Sequence, residues 1–195
     1  MAVNERSQAA WVRRPDVRIG AVVAVALAVA FVVWLLVRDE DSNSSTSGPT
    51  QTVEAIAPVA ASRDRLRALS AEVGRPIYWA GARAGDTYEL TRTAQDRIYV
   101  RYLPSGAPVG TRRASYTIVG TYPVANAYDV LKALAKKNGE VSFAAPNGGI
   151  AVYDTAHPTN VYLARPGSDV QIEIFDPSAG RARALISSGQ ITPVD

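Results

Sequence analysis

The chain contains an uninterrupted apolar run from Ile19 to Val37 with no charged side chain. At a rise of about 1.5 Å per residue, a helix of this length spans the roughly 30 Å hydrocarbon core of a bilayer. A cleavable signal peptide has a shorter apolar region of about 7–15 residues and then a small-residue cleavage site. This run ends instead in the bulky segment WLLVR. It therefore predicts a retained membrane-spanning helix at 19–37, with the lipid bilayer as its partner.

The charges on the two sides of this run differ. Four arginines precede it, at positions 6, 13, 14 and 18, whereas Arg38 after it is followed at once by three acidic residues. Positively charged flanks stay on the cytoplasmic side of a membrane. The sequence thus predicts a cytoplasmic tail at 1–18, a single-pass protein of the cell membrane, and an extracytoplasmic C-terminal domain.

Small residues recur at four-residue spacing within the run, at Gly20, Ala24 and Ala28. Such a stripe lets two membrane helices approach closely and would allow a homodimer. Alanine also occupies positions 21, 26 and 30, so the stripe stands out little from its surroundings. Dimerisation through these residues and a purely monomeric anchor are both compatible with the sequence.

After the run, residues 38–61 are acidic, then rich in Ser, Thr and Pro, and show no hydrophobic periodicity. Such a composition is typical of a flexible linker. The remaining residues, 62–195, are enough for one domain. The chain has no cysteine, so this domain has no disulfide and must be stabilised by packing.

Lysine occurs only at positions 132, 136 and 137, an arginine-dominated usage typical of GC-rich bacterial genomes, which suggests a bacterial cell envelope.

Helix signals occur three times in the domain. The first helical segment begins at Ser62; Asn126 and Asp176 are candidate N-caps of the second and third helices, and Pro177 would occupy the first helical position of the third helix. Each helix would end at a glycine, at position 74, 139 or 189, and a strand would follow after a short loop. The pattern predicts an α+β fold with about three helices.

Two pairs of segments resemble each other. Residues 97–104 match 160–166, and residues 116–123 match 170–177. We interpret this as a tandem helix-plus-β-meander duplication with pseudo-repeats at about 62–123 and 126–177, followed by a C-terminal helix and strand. Turn signals between the strands predict an antiparallel sheet. Alternation puts apolar residues on one face, under the helices, and polar residues on the other face, towards solvent or a partner.

Sequence motifs for catalysis or cofactor binding are lacking. The single histidine, His157, lies in a predicted turn, and there is no G-x-S-x-G motif for a nucleophilic serine. One histidine without cysteine does not fit the common zinc sites, and no phosphate-binding glycine motif occurs. We therefore predict no catalytic residues, no metal and no cofactor, and we regard an enzyme as the less favoured class.

The polar strand face carries aromatic and guanidinium groups, the residue types that anchor interfaces and stack on sugars or peptides. Tyrosine and arginine are also ordinary residues of an exposed strand. The candidate binding residues are Tyr88, Arg92, Tyr99, Arg101, Tyr116 and Tyr162.

Two functions are compatible with these observations. The first is a non-catalytic, membrane-anchored binding or scaffold domain of the cell envelope, with a protein or glycan partner. The alternative is an envelope polysaccharide hydrolase that uses paired carboxylates, with Glu89, Asp154 and Glu173 as the strand candidates. Nucleic acid is not expected as a partner, because residues 50–195 carry 16 basic and 13 acidic side chains, a net charge of only +3.

Overall fold

The computed structural model describes residues 57–113 and 115–195. These residues form a sheet-rich α+β domain with antiparallel strands and three helices, which confirms the predicted class. The predicted tail, the membrane helix at 19–37, the Gly20, Ala24 and Ala28 stripe, and the linker up to residue 56 lie outside the described residues. Within the described ranges, no helix combines the length and the apolar character that crossing a bilayer requires.

The elements follow one another along the chain as β1, α1, β2 to β5, α2, β6 to β9, α3 and β10. The helices are α1 (Arg63–Glu72), α2 (Ala127–Leu134) and α3 (Ala179–Ser187). The strands are β1 (Val59–Ala61), β2 (Tyr78–Trp79), β3 (Thr87–Arg92), β4 (Ile98–Leu103), β5 (Ile118–Pro123), β6 (Glu140–Ala145), β7 (Gly149–Asp154), β8 (Asn160–Ala164), β9 (Val170–Phe175) and β10 (Thr192–Pro193).

Eight strands form one antiparallel sheet in the order β1-β3-β4-β5-β9-β8-β7-β6, and β10 pairs with β2 in a separate two-stranded sheet. Strands β5 and β9 are neighbours at the centre, with Ile118 opposite Phe175 and Pro123 opposite Val170. Strand β1 comprises the last three residues of the predicted linker. Because its backbone pairs with β3, the folded domain begins before Ser62.

The first and third helices are capped by serine hydroxyls. The Ser62 Oγ accepts a hydrogen bond from the backbone N–H of Arg65 at 3.1 Å. For α3 the prediction of Asp176 as N-cap was wrong, because Ser178 occupies that position and its Oγ accepts from the backbone N–H of Arg181. The Asp176 carboxylate is buried and accepts instead from Ser178 N and from the Thr117 hydroxyl.

The second helix begins after Asn126, as predicted, but the Asn126 side chain makes no capping hydrogen bond. Asn126 adopts the left-handed conformation, with φ of 53°, and its backbone N–H donates to the Asp169 carboxylate at 2.8 Å. The start of α2 is therefore fixed from the loop before β9 rather than by its own cap.

The main core lies between one face of the large sheet and the helices α1 and α3. Alternate residues of β4 and β9, including Val100 and Ile174, point into it, as the sequence pattern predicts. Leu66 of α1 and Leu185 of α3 belong to the same cluster.

The second face of the sheet is also partly covered. Helix α2 contacts β7, β8 and β9, and its buried residues Ala127 and Leu131 do not belong to the main core cluster. On this second face Val152 and Tyr162, which pair across β7 and β8, are buried. We therefore place α2 over the second face, so that much of the predicted polar face is internal.

Candidate functional site

The six predicted binding residues do not share one surface. The strand register places Tyr88 and Arg92 on the face of Leu90, which is the core side of the sheet. The Tyr88 ring packs edge-on against Trp79, with ring centroids 5.6 Å apart. Arg92 forms ion pairs with Glu72 and Asp96 at 2.7 and 2.8 Å. The side chains of Tyr88 and Arg92 are therefore both engaged by other residues of the domain at this end of the sheet.

The other predicted binding residues lie on or beside the second face. Arg101 is half-buried in an ion pair with Glu89, and its guanidinium carbon lies 5.7 Å from the centroid of the Tyr116 ring. Tyr99 and Tyr162 are buried. The structure thus brings Arg101 and Tyr116 together and places Tyr99 and Tyr162 near the centre of the sheet. A binding role for the six residues stays a prediction.

A buried carboxylate, Glu173, lies at the centre of the second face with only 2% of its surface exposed. Asn160 Nδ2 donates to its Oε1 at 2.6 Å, and the Tyr162 hydroxyl donates to the same oxygen at 3.4 Å. The Tyr122 hydroxyl donates to Oε2. Tyr99 packs edge-on against Tyr122, with centroids 5.6 Å apart. We call these five residues the Glu173 cluster.

Glycine at position 120 makes room for this cluster. Gly120 pairs with Tyr99 on one side and with Glu173 on the other. A Cβ atom added at Gly120 would lie 2.7 Å from the Tyr122 hydroxyl oxygen, well inside van der Waals contact. The Tyr122 ring therefore lies over the backbone of β5, in the space that a side chain at 120 would fill.

Burial controls the titration of the Glu173 cluster. Desolvation raises the pKa of the Glu173 carboxyl, and the hydrogen bonds from Tyr122, Asn160 and Tyr162 oppose this rise. Desolvation, followed by the proximity of Glu173, also raises the pKa values of the Tyr122 and Tyr162 hydroxyls. The tyrosines consequently stay neutral donors at any ordinary pH.

We expect the free energy of unfolding to depend on pH through Glu173. Its folded pKa is above the ordinary value of 4.5, so the folded state binds more protons than the unfolded state in the window above that pH. The contribution of Glu173 to stability is fully present below pH 4.5 and falls as the pH rises through the folded pKa, by at most about 1.4 kcal/mol per pH unit. Urea unfolding of wild type and Glu173→Gln between pH 4 and 9 measures this difference. If the free energy of unfolding changed with pH in the same way in wild type and in Glu173→Gln, the attribution of this pH dependence to Glu173 would be wrong.

The three candidate acids of the hydrolase hypothesis have separate surroundings. Glu89 is paired with Arg101 and also accepts from the backbone N–H of Gly110 at 2.6 Å. Strands β3 and β9 are three positions apart in the sheet, which separates Glu89 from Glu173 by about 14 Å at the usual strand spacing. The structure therefore gives no close pair of Glu89 and Glu173.

Asp154 lies at the exposed end of β7. A hydrogen bond from the backbone N–H of Ala156 lowers the pKa of its carboxyl, and its Oδ2 is 3.4 Å from Nδ1 of His157. These contacts belong to the turn that joins β7 to β8. In residues 57–113 and 115–195, no group of three or more histidine and acidic side chains could hold a metal ion.

Sequence reasoning did not single out Arg165, which follows the last residue of β8. Its Nη2 donates to the backbone carbonyl of Ile191 at 2.9 Å, and its guanidinium carbon lies 4.9 Å from the centroid of the Tyr78 ring. The Nε and Nη1 atoms are buried and have no hydrogen-bond partner among the described residues. No carboxylate among residues 57–113 and 115–195 lies within ion-pair distance of Arg165.

Arg165 lines a cavity of about 270 Å³. The cavity lies where the two-stranded sheet, the end of α3 and the β6–β7 turn meet. Its polar side chains are those of Tyr78, Asn147, Arg165 and Thr192. The remaining lining is apolar, from Ala145, Pro146, Leu163, Gly189, Ile186, Ile191 and Pro193. We call this the Arg165 cavity.

The only signal for this cavity in the sequence is an arginine after the apolar segment VYLA, in front of a proline. An arginine at a strand end is usually exposed, so the pattern does not predict burial. The cavity forms from residues more than 100 positions apart, Tyr78 and Thr192, which no local pattern relates.

Comparisons with known proteins give no relative for this chain: no protein-family model, no curated protein and no solved structure matches it.

Proposed function

We propose that the chain is a membrane-anchored binding or scaffold domain that works on the extracytoplasmic side of the cell envelope and does not catalyse a reaction. The observation that carries the proposal is the Arg165 cavity, about 270 Å³ in volume, in which Arg165 is the one charged side chain among the lining residues. Sites for small ligands are concave and combine apolar walls with a few polar groups, as this cavity does.

The hydrogen bonds and the ion pair of the acidic residues in the sheet support a binding role for the domain over a catalytic one. Glu173 is held by three side-chain donors, and Glu89 is neutralised by Arg101. A glycosidase needs two carboxylates about 5–10 Å apart across a cleft that admits the sugar. The surroundings of Glu89 and Glu173 favour structural roles for both.

The membrane setting rests on the apolar run at 19–37 and its arginine-rich N-terminal flank. A tether of residues 38–58 would let the domain reach partners above the lipid surface. The partner would be a protein or a cell-wall component, and the anchor would raise its effective concentration near the membrane.

We also infer that the domain arose by tandem duplication. Helix α1 precedes strands β2–β5, and α2 precedes strands β6–β9. In the sheet, β3-β4-β5 and β9-β8-β7 are arranged in mirrored order about the central β5–β9 pair. The halves differ at the outer edge, because β1 lies beside β3 whereas β6 lies beside β7.

Protease accessibility tests the membrane setting. With an epitope tag at the C-terminus of the full-length protein, we expect protease added to intact cells to remove the tag, because the domain lies outside the membrane. A tag at the N-terminus should be protected until the membrane is opened. A C-terminal tag that survives in intact cells would refute the proposed location.

Partner enrichment tests the binding role. The full-length protein, solubilised in detergent, should retain a cell-wall fragment or enrich one envelope protein after cross-linking in cells, and Arg165→Gln should reduce that recovery. Arg183→Gln is the matched control, because Arg183 also stacks on a tyrosine, Tyr153, but does not line the cavity. Equal, background-level recovery for all three proteins would argue against a binding domain.

A further inference from the structure

We propose that strand β6 pairs with β6 of a second copy of the chain, so that two domains share one continuous antiparallel sheet. The observation behind this is an edge strand whose outward-facing backbone groups have no partner among the described residues. The pairing goes beyond the proposed binding role and takes from it only the shared membrane that would keep two copies close.

The two edges of the eight-stranded sheet, β1 and β6, differ in their protection. Strand β1 has three residues and follows Pro58, and both features discourage pairing with another chain. Strand β6 pairs with β7 at all six of its positions and contains no lysine, proline or glycine. It therefore lacks the usual devices that keep an edge strand from associating.

The hydrogen bonds between β6 and β7 show which backbone groups face outwards. The backbone N–H of Thr155 donates to the Gly139 carbonyl at 2.9 Å, one position before the first pair of the ladder. Hydrogen-bonded and non-hydrogen-bonded pairs alternate along an antiparallel ladder. The odd-numbered residues of β6 therefore bond to β7, and the backbone groups of the even-numbered residues point away from the sheet.

The outward-facing groups of β6 are accessible. Ser142 and Ala144 are exposed, and their backbone N–H and carbonyl groups have no hydrogen-bond partner among the described residues. On the core face of the strand, Val141 is 37% exposed and Phe143 is half-buried. The edge thus offers donors, acceptors and apolar side chains to an added strand.

A second β6 satisfies this edge when the two strands are antiparallel and centred on Ser142. Each Ser142 N–H then donates to the Ser142 carbonyl of the second copy. Each Ala144 N–H donates to the Glu140 carbonyl of the second copy. The Glu140 N–H is not needed, because it donates to the Lys137 carbonyl of its own copy at 3.3 Å. Every open donor on one edge therefore meets an open acceptor on the other.

The side chains favour the same register. Val141 lies beside Phe143 of the second copy in a non-hydrogen-bonded pair, where side chains are closest, so the exposed apolar surfaces cover each other. Glu140 lies opposite Ala144, whereas a register that pairs Glu140 with itself would oppose like charges. A shift in the other direction brings Pro146, which has no N–H, into the ladder.

The shared membrane favours a second copy over a peptide of another protein. One strand edge is smaller than the roughly 1,200–2,000 Å² that stable interfaces bury. Two copies anchored in one bilayer have a high effective concentration, which compensates for a small contact.

Cysteine cross-linking of the full-length protein in isolated membranes tests the pairing, because the chain has no cysteine of its own. Mild oxidation should convert most of the Ser142→Cys protein to a disulfide-linked dimer, since Cα atoms of a hydrogen-bonded pair are about 5.5 Å apart. Val59→Cys is the matched control and should stay monomeric, because Val59 is 47% exposed on the opposite edge. No Ser142→Cys dimer, equal cross-linking of Val59→Cys, or a cross-link to a different protein would overturn the proposal.

Two further variants test the register. Glu140→Cys and Ala144→Cys, expressed together, should cross-link to each other. Either variant alone should not cross-link, because its two cysteines would be about 14 Å apart along the strands. If either variant alone cross-linked as strongly as the mixture, the pairing centred on Ser142 would be wrong.

Proline at position 142 separates loss of the dimer from misfolding. Ser142→Pro removes an N–H that has no partner inside the domain, and edge strands tolerate proline at such positions. Added to the Glu140→Cys and Ala144→Cys proteins, it should abolish their cross-link and shift the melting temperature by no more than a few degrees. A retained cross-link, or melting many degrees lower, would mean that this N–H does not serve the pairing, and the proposal would fail.

The two proposals fail in distinguishable ways. A C-terminal tag shielded in intact cells would refute the extracytoplasmic location but leave a Ser142→Cys dimer standing. An accessible tag without a Ser142→Cys dimer would refute the pairing alone.

Discussion

Replacing Glu173 with alanine is expected to lower the free energy of unfolding by about 3 kcal/mol. The change removes the acceptor shared by Tyr122, Asn160 and Tyr162, all of which are buried. Each buried donor without an acceptor costs about 1–3 kcal/mol, and the lost side chain adds a cavity term. Urea unfolding at neutral pH, followed by near-ultraviolet circular dichroism of the buried tyrosines, measures the effect.

Glu72→Ala is the matched control for this prediction. Glu72 is an exposed acid at the end of α1 and is paired with Arg92 at 2.7 Å. Exposed ion pairs contribute about 1 kcal/mol or less, so this variant should be close to wild type. If Glu173→Ala were no less stable than Glu72→Ala, the carboxylate would not be the shared acceptor of the Glu173 cluster.

Local sequence signals account for much of the fold. Gly74 and Gly189 adopt positive φ directly after the C-caps of α1 and α3, where glycine has no steric penalty, as predicted. The predicted end of α2 at Gly139 was wrong, because that helix ends at Leu134 and Gly139 lies in the turn before β6. The alternation in β4 and β9 assigns Val100 and Ile174 correctly to the core face. These features depend on residues that are close in sequence, which is why the pattern identifies them.

The sequence does not show what covers the second face. Tyrosine, glutamine and glutamate fit a solvated strand face, but they also fit a buried face in which each polar group has a partner. In β9 the buried Glu173, with its three side-chain donors, represents the second case. The second face is covered because α2 lies across β7–β9 and because Glu89 and Arg101 bond to the backbone of residues 110 and 111. All of these are tertiary contacts.

The sequence pattern did not identify the Arg165 cavity for the same reason. Arg101 and Tyr116, which the sequence singled out, meet in the structure, but Arg101 already has Glu89 as its partner. Arg165 has the opposite properties, because nothing in its sequence neighbourhood marks it and its unsatisfied donors become visible only when β2, β10 and α3 are assembled around it. Hydrogen-bond satisfaction is a property of the folded chain, so a sequence pattern cannot rank these two arginines.

Gly120→Ala is expected to destabilise the domain by about 2–3 kcal/mol, although alanine usually costs less than glycine in a strand. The new Cβ would lie 2.7 Å from the hydroxyl oxygen and 2.9 Å from the ring carbon Cζ of Tyr122. The ring is buried and bonded to Glu173, so moving it also disturbs the acceptor of the Glu173 cluster. Urea unfolding of the full-length protein measures the loss.

A double-mutant cycle with Tyr122→Leu isolates this contact. Without the tyrosine ring the clash disappears, so Gly120→Ala should cost at least about 1 kcal/mol less in the Tyr122→Leu background than in wild type. Gly180→Ala in α3 is the control, because its Cβ would meet only the Ser178 Oγ at 3.8 Å and the helix should gain up to about 1 kcal/mol. A Gly120→Ala protein as stable as Gly180→Ala would mean that Tyr122 does not lie over β5. The Glu173 carboxylate would then lack its Tyr122 donor, and the arrangement of the second face described here would be incorrect.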